Sequence, residues 1–459
     1  MATTSFYPVD SRNILQKQFI GKSLQDIPVP AAVIDLNKVQ MNCSRMLEAC
    51  KSLDLGWRAH IKTHKTTELT RLQVGDGLAN VIVSTIIEAE HITPLLLEYK
   101  SQGRAINLLY SFPVAPSSVA RLTAIAKALG NHGLALMIDH PDQLASVTAI
   151  HEESGIAPDI FLKIDMGTKR AGVSLKTKEF SDLSASVLSL SLTGHCHFLG
   201  LYAHAGQSYY GSSSADAVSF LVEEFQALLE GAQTIQPTIA YPLVLSVGAT
   251  PTTTSIWNLT SDTSNNPAIQ SAIAALKSTI SEIREMGSKL EVHAGVYTVL
   301  DLQQLSTHAV ASSGPHGLTL DDIALTIIAE VASVYPGRGE NATTEALVGA
   351  GTLALGREPC KNYPGWAILT PWNRAGAVMP QTVEDPKGWI VGVISQEHGI
   401  LQQQNLQYAD GSEEDLLNVG QKVRIWPNHA CVAGAGFGWY YVVDGSDTIV
   451  DIWVRWRGW

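Results

Sequence analysis

A regular alternation constrains this chain more than any single residue does. Eight short apolar runs, Arg58 to Ile61, Asn80 to Val83, Ala105 to Tyr110, Leu134 to Ile138, Ile160 to Ile164, Phe198 to Tyr202, Leu243 to Val247 and Leu290 to His293, are each followed by a helical pattern. No run reads as one arm of an antiparallel hairpin. Strands that alternate with helices in this way specify an α/β fold, and the number of runs fits a closed (β/α)8 TIM-type barrel; a doubly wound sheet is the alternative. Upstream, Ala32 to Asp35 reads as a further strand, leading into a helix with Val39, Met46, Leu47 and Cys50 at near-helical spacing. The expected barrel domain is residues 31–300.

Beyond Asp301 the pattern changes. LTIIAEVASVY, EALVGAGTLAL, WIVGVISQ, KVRIWP and WYYVVD follow one another with Gly, Pro, Asn and Asp between them and little helical periodicity. They predict a second, mostly β domain, to which residues 1–30 and 301–459 are assigned. The polar stretch Asn258 to Ser271 reads as an excursion between the last two barrel strands, and Asn258-Leu-Thr260, although it fits the glycosylation pattern, reads as a polar loop.

Composition narrows the function classes. With 459 residues, 45% hydrophobic and 16% charged, the chain can bury one large core or two. Lys and Arg total 31 against 43 Asp and Glu, a formal charge of -12, and no basic run offers a footprint for a phosphate backbone, so a nucleic-acid partner is not expected. The N-terminus lacks an apolar signal region, and no stretch approaches the roughly 18 to 20 uninterrupted apolar residues of a membrane span. Five unevenly spaced cysteines argue against a disulfide framework. A cytoplasmic protein without membrane attachment is the expectation.

Barrel chemistry sits at the C-terminal ends of the strands, so the residues just past each strand carry the information. Lys62 follows the first, in WRAHIKTHKTT, where a lysine can form a Schiff base if apolar walls keep it partly uncharged. KIDMGTKRAG, at the fifth, offers Lys163 and Arg170. YAHAGQSYY, at the sixth, offers Tyr202, His204, Gln207 and Tyr209. The seventh ends in SVGATPT, with Gly248 and the hydroxyls of Ser246, Thr250 and Thr252, and the eighth in HAGVYT, with Gly295 and Tyr297. Small Gly, Ser and Thr loops after the last two strands are where barrels commonly hold a phosphate. Far away, WPNHACVAG places His429 and Cys431 two apart; if the segment is extended, both face one side and form a zinc half-site. His195 and His197 flank Cys196 with similar spacing, but they precede the sixth strand, at the non-catalytic end, and read as structural.

HIKTHKT, KIDMG-x-x-RAGV, YAHAGQSY, SVGATPT, EVHAGVY, QEHG and PNHAC, in this order, resemble the eukaryotic-type D-serine dehydratases of the alanine racemase-like (fold type III) pyridoxal phosphate enzymes, from about Pro28 to Asp444. The resemblance implies that Lys62 is the Schiff-base lysine, with Lys65 a neighbour, and that Arg170 lies near the cofactor's phenolic oxygen. It places Tyr202 and His204 near the pyridine ring, Gly248, Thr250, Gly295 and Tyr297 in the phosphate cup, and zinc on His429 and Cys431. It implies elimination of the β-hydroxyl of a small D-amino acid, D-serine giving pyruvate and ammonia, by a homodimer. His398, in QEHG, receives no role. Gly349 stands where relatives carry Asp before Ala-Gly, and VAGAGFGWYY after Cys431 is richer in glycine than in relatives; both bear on the substrate. D-threonine aldolases share the barrel and lysine but carry His-x-Asp at the metal motif. A racemase lacks a clear second base here, and a non-catalytic pyridoxal phosphate carrier resembles the barrel alone.

Overall fold

The structure is a computed structural model that describes residues 8–260, 266–310, 317–372, 382–384, 386, 388–404 and 417–459. Its first strand, β1 (Ala31–Asp35), stands outside the barrel. The barrel consists of β2 (Gly56–His60), β3 (Ala79–Val83), β4 (Ile106–Pro113), β5 (Leu134–Ile138), β6 (Asp159–Lys163), β7 (His197–Tyr202), β8 (Val244–Val247) and β9 (Lys289–Ala294). Each strand pairs in parallel with the next, and β9 returns to β2 with Gly56 opposite Glu291 and Ala59 opposite Ala294. Every apolar run read from the sequence is one of these strands, so the closed barrel holds and the doubly wound sheet does not.

Helices follow from apolar spacing and capping. In Ser214–Ile235 the buried Leu221, Phe225, Leu228 and Ala232 recur at three- and four-residue steps, and the Ser213 side chain accepts from the Asp216 N–H. Such a cap contributes about 1 kcal/mol. Inside the barrel, Ile82, Leu109, Ala135, Met137, Phe161 and Tyr202 pack as one cluster. Toward the N-terminal ends of the strands the filling is polar: Arg58 Nε donates to Glu291 Oε1 at 2.7 Å, Arg58 Nη1 to Asn107 Oδ1 at 2.7 Å, and Asn107 Nδ2 to Asp159 Oδ2 at 3.0 Å.

The chain divides into two compact units. One comprises Arg45–Gly295 and Trp456–Trp459, the other Val9–Ser44 and Val296–Arg455. The second is built on a nine-stranded sheet formed by β1, β10 (Leu325–Tyr335), β11 (Glu345–Val348), β12 (Ala367–Pro371), β13 (Gly388–Ile394), β14 (Gly399–Gln404), β15 (Lys422–Pro427), β16 (Trp439–Val443) and β17 (Asp451–Val454), in the order β11-β14-β13-β12-β15-β10-β1-β16-β17. All its neighbours are antiparallel except β1 and β16. The N-terminal helix Arg12–Phe19 docks here, with Arg12 and Gln16 both bonded to Asp451 at 2.7 Å.

Four expectations need correction. Residues 31–44 belong with the sheet and not the barrel; Ala31 to Ile34 is an apolar run buried throughout, and such a run does not say which sheet it joins. Residues 456–459 belong with the barrel unit: Trp456 stacks on His91 at 5.6 Å and its N–H donates to Lys65 O at 3.0 Å. In EALVGAGTLAL only Glu345–Val348 is strand, and Thr352–Leu355 forms a helical turn after the glycines. Asn258 is 1% exposed in the short helix Trp257–Thr260, its amide donating to Ser255 O at 3.0 Å, so it is no surface loop; residues 261–265 of that stretch lie outside the described residues. No helix among the described residues is long and apolar enough to cross a membrane.

Candidate active site and metal pair

Lys62 stands two residues past β2, in a turn closed by the Lys65 N–H to Ile61 O at 2.9 Å with Lys65 in the left-handed region (φ 51°). The neighbours of Lys62 are committed elsewhere. The His64 ring lies between Thr66 (Oγ1 3.0 Å, N 3.1 Å) and Gln73 Oε1 (2.8 Å) and is buried. Lys65 Nζ pairs with Glu88 Oε1 at 2.9 Å, and that carboxylate, fully buried, also accepts from the Thr85 hydroxyl and the Ser84 N–H. A buried carboxylate held this way cannot release its cation without leaving a charge unpaired, a cost of several kcal/mol. Among the described residues no ion pair engages Lys62. Of the two lysines in HIKTHK, Lys65 is the one paired with a carboxylate.

The ends of the other strands surround this turn's strand with groups that resist protonation. His60, His204 and His293 are all held well below the usual imidazole range, in each case first by burial, then by nearby Lys62, Lys163 or one another. His204 Nδ1–H donates to Gly248 O at 2.6 Å, which leaves Nε2 as its acceptor. His293 meets Ser246 Oγ at 3.1 Å through Nδ1, stacks on Tyr202 at 4.2 Å, and keeps a buried Nε2 with no hydrogen bond among the described residues. Lys163 Nζ lies 4.5 Å from the Tyr202 ring centre, and burial and the Arg170 guanidinium push it down to about 7. Burial pushes the Tyr202 phenol up. Arg170 itself is exposed, on the loop after β6. Glu224 is pushed up to about 7 by burial while its Oε1 accepts the Ala205 N–H at 2.6 Å. His60, His293 and Glu224 were not singled out in the sequence. Glu224 was legible there, since it interrupts the apolar face of its helix between Leu221 and Phe225.

The two small-residue loops after β8 and β9 need their glycines. Gly248 has φ 149°, and a Cβ on it would lie 2.1 Å from His293 O and 2.5 Å from Thr253 Oγ1. On Gly295 a Cβ would meet His60 O at 2.9 Å and Thr63 Oγ1 at 3.3 Å. Thr250 and Thr252 follow in a short helical turn; the Thr252 hydroxyl accepts the Ala249 N–H at 2.9 Å. Tyr297 falls in the sheet unit, fully buried, with its hydroxyl on the Cys43 thiol.

In the sheet unit His429 and Cys431 are adjacent, although not on an extended strand: β15 stops at Pro427, His429 is the N-cap of the helix Ala430–Ala435, and Cys431 lies in its first turn. The thiol reaches back to the imidazole. Burial disfavours the imidazolium, but the Cys431 sulfur as charge and hydrogen-bond partner, with the Asp301 carboxylate, raises it to about 9. His429 Nδ1 donates to Gln303 Oε1 at 2.6 Å and lies 3.8 Å from Asp301 Oδ2, which in turn accepts the Ala430 N–H at 2.8 Å. A ring anchored through Nδ1 presents Nε2, and imidazole with thiolate is a donor set that suits zinc. Asn428 is held by Glu358 O, Gly365 O and the Tyr363 hydroxyl, which fixes the turn before His429. The Gly349 loop and the His398 turn adjoin each other, with the Thr352 N–H on Ser395 O at 2.8 Å. His398 is exposed, and a Cβ on Gly349 would meet nothing within 4 Å.

Comparison with known proteins gives a coherent answer. The "Alanine racemase, N-terminal domain" family model matches residues 34–263, and the "Putative serine dehydratase domain" model matches residues 324–443. The D-serine dehydratase of Schizosaccharomyces pombe is 37% identical over 100% of this chain and 98% of its own length; that of Saccharomyces cerevisiae is 30% identical over 96% and 99%. Among solved structures, D-threo-3-hydroxyaspartate dehydratase from Delftia sp. HT23 superposes with a TM-score of 0.72 and 26% identity, over 95% of this chain and 100% of that one.

Proposed function

The chain belongs to the D-serine dehydratase family of alanine racemase-like enzymes, and from that premise we propose that it is a pyridoxal phosphate- and zinc-dependent dehydratase converting D-serine to pyruvate and ammonia. The observation that carries the reading is the contrast between Lys65, paired with Glu88, and Lys62, whose amine enters no ion pair among the described residues. When bound, pyridoxal phosphate supplies an electron sink that acidifies the substrate Cα–H, and zinc supplies a Lewis acid for a β-hydroxyl that is otherwise a poor leaving group.

The residues then divide the work. Lys62 would hold the cofactor through its amine and would be the base for the substrate's Cα proton. Gly248, Thr250 and Gly295 would take the phosphate, the two glycines standing where a Cβ would run into the His293 or His60 carbonyl oxygen. Arg170 would serve the phenolic oxygen, and Tyr202 and His204 would serve the ring. With Nδ1 bound to Gly248 O, neutral His204 can accept a hydrogen bond at Nε2 and brings no positive charge to the site. His429 and Cys431 would hold the zinc, with Gln303 and Asp301 orienting the imidazole. Loss of water followed by hydrolysis of the released enamine balances to one pyruvate and one ammonia per D-serine. The same reading takes the assembly to be a homodimer in the cytoplasm, which sedimentation and fractionation test.

A β-hydroxy D-amino acid other than serine is the second reading, favoured by Gly349, which leaves open space where relatives carry a carboxylate. Assaying D-serine, D-threonine and D-threo-3-hydroxyaspartate for keto acid, aldehyde and ammonia separates the cases. Keto acid and ammonia, fastest with D-serine, support the proposal; aldehyde and glycine from D-threonine would replace it with an aldolase.

A further inference from the structure

We propose that the N-terminal end of the barrel carries a second divalent metal site, a zinc site formed by His132, Asp159 and His197. Asp159 Oδ1 lies 3.0 Å from His132 Nδ1 and 3.1 Å from His197 Nδ1, and all three donor atoms fall within 4.8 Å of one another. Zinc bonds of about 2.0 to 2.2 Å at tetrahedral angles set donor atoms about 3.3 Å apart, so the two Asp159–histidine distances need to open by only a few tenths of an ångström, while the two histidine nitrogens start within 4.8 Å of each other. Two imidazoles and one carboxylate are three protein ligands, and two of them, His132 and Asp159, line a cavity of about 530 Å³ together with Asn107, Arg58, Asn80 and Glu291.

The surroundings are those of a held site. Asp159 is 2% exposed, and its second oxygen accepts Asn107 Nδ2 at 3.0 Å; the same Asn107 amide donates to the His132 carbonyl at 2.8 Å, so one side chain sets two of the three ligands. His132 adopts φ 58°, a left-handed conformation uncommon outside glycine, which places its ring over the start of β6. The His197 ring stacks on Tyr241 at 5.0 Å. Without metal, both rings donate Nδ1–H to one carboxylate oxygen. With it, each ring shifts its proton to Nε2, and the ion ties the loop before β5 to β6 and β7. Placed at the end opposite the chemistry, it is a staple and not a catalyst.

The test uses the full-length chain carrying Cys431→Ala, so that the other metal pair is disabled whether or not the proposed function stands. After chelator treatment and dialysis, zinc chloride is added and binding is followed by calorimetry and by melting temperature. Retained binding that raises the melting temperature, weakened at least about tenfold by His132→Ala and abolished by His132→Ala with His197→Ala, is the expected result. Cobalt in the same protein should give visible bands without thiolate charge transfer. The His132 side chain is 68% exposed, so its removal opens no core cavity. No zinc binding to the Cys431→Ala chain, or equal affinity after both histidines are replaced, overturns the proposal.

Discussion

At the N-terminal ends of the barrel strands Arg58 is bonded to Glu291 and Asn107, and Asn107 to Asp159, so that each of these buried charges has an ion-pair or hydrogen-bond partner. At the C-terminal ends Lys62, Lys163, His60, His204 and His293 gather without an ion pair among the described residues, Lys163 is driven down to about 7, and the imidazoles are kept neutral. One barrel thus spends its polar residues in two ways. Matched charge fixes the strands; unmatched charge, costly to bury, is tolerated where a reaction can use it.

Substitutions at the two ends should separate those roles. Lys62→Ala is expected to lower turnover by about 10³-fold, within the range for loss of a positioned acid or base, while changing stability by no more than about 0.5 kcal/mol; steady-state kinetics beside urea titration reads both. At the opposite end Arg58→Met leaves Glu291 buried without its cation and should cost about 3 to 5 kcal/mol, with the folded fraction turning over normally. The comparison breaks if these two phenotypes are exchanged. Gly248→Ala sharpens it: backbone strain of about 1 to 3 kcal/mol, with weaker cofactor retention measured by dialysis and absorbance, is expected from a Cβ 2.1 Å from His293 O.

The smallest effect is on pH dependence. Because His60, His204 and His293 are depressed below 6.5 in the folded chain, the unfolded chain binds protons more readily. Their contribution to stability is present above that value and lost as pH falls below it. Urea midpoints between pH 8 and pH 5 should fall with acid, and His293→Asn should flatten the fall; an unchanged slope means that His293 titrates freely.

The barrel was legible because each of its strands is an apolar run bounded by a helix, a pattern that needs no long-range information. What was lost depended on partners distant in sequence. Ala31 to Ile34 is as apolar as any barrel strand, and only its pairing with β10 and β16 takes it to the sheet. His429 and Cys431 were read as facing one way on a strand; a helix cap brings them together instead. Lys65 and Glu88 lie 23 positions apart, so the sequence offered two lysines and the structure commits one. His132, Asp159 and His197 come from three successive strand starts, and no local spacing announces them.

Which amine carries the cofactor is the point on which the proposed chemistry turns. Borohydride reduction of the chain loaded with pyridoxal phosphate, followed by peptide mass mapping, should place the pyridoxyl group on Lys62. Finding it on Lys65 or Lys163, with Lys62 unmodified, would contradict the assignment.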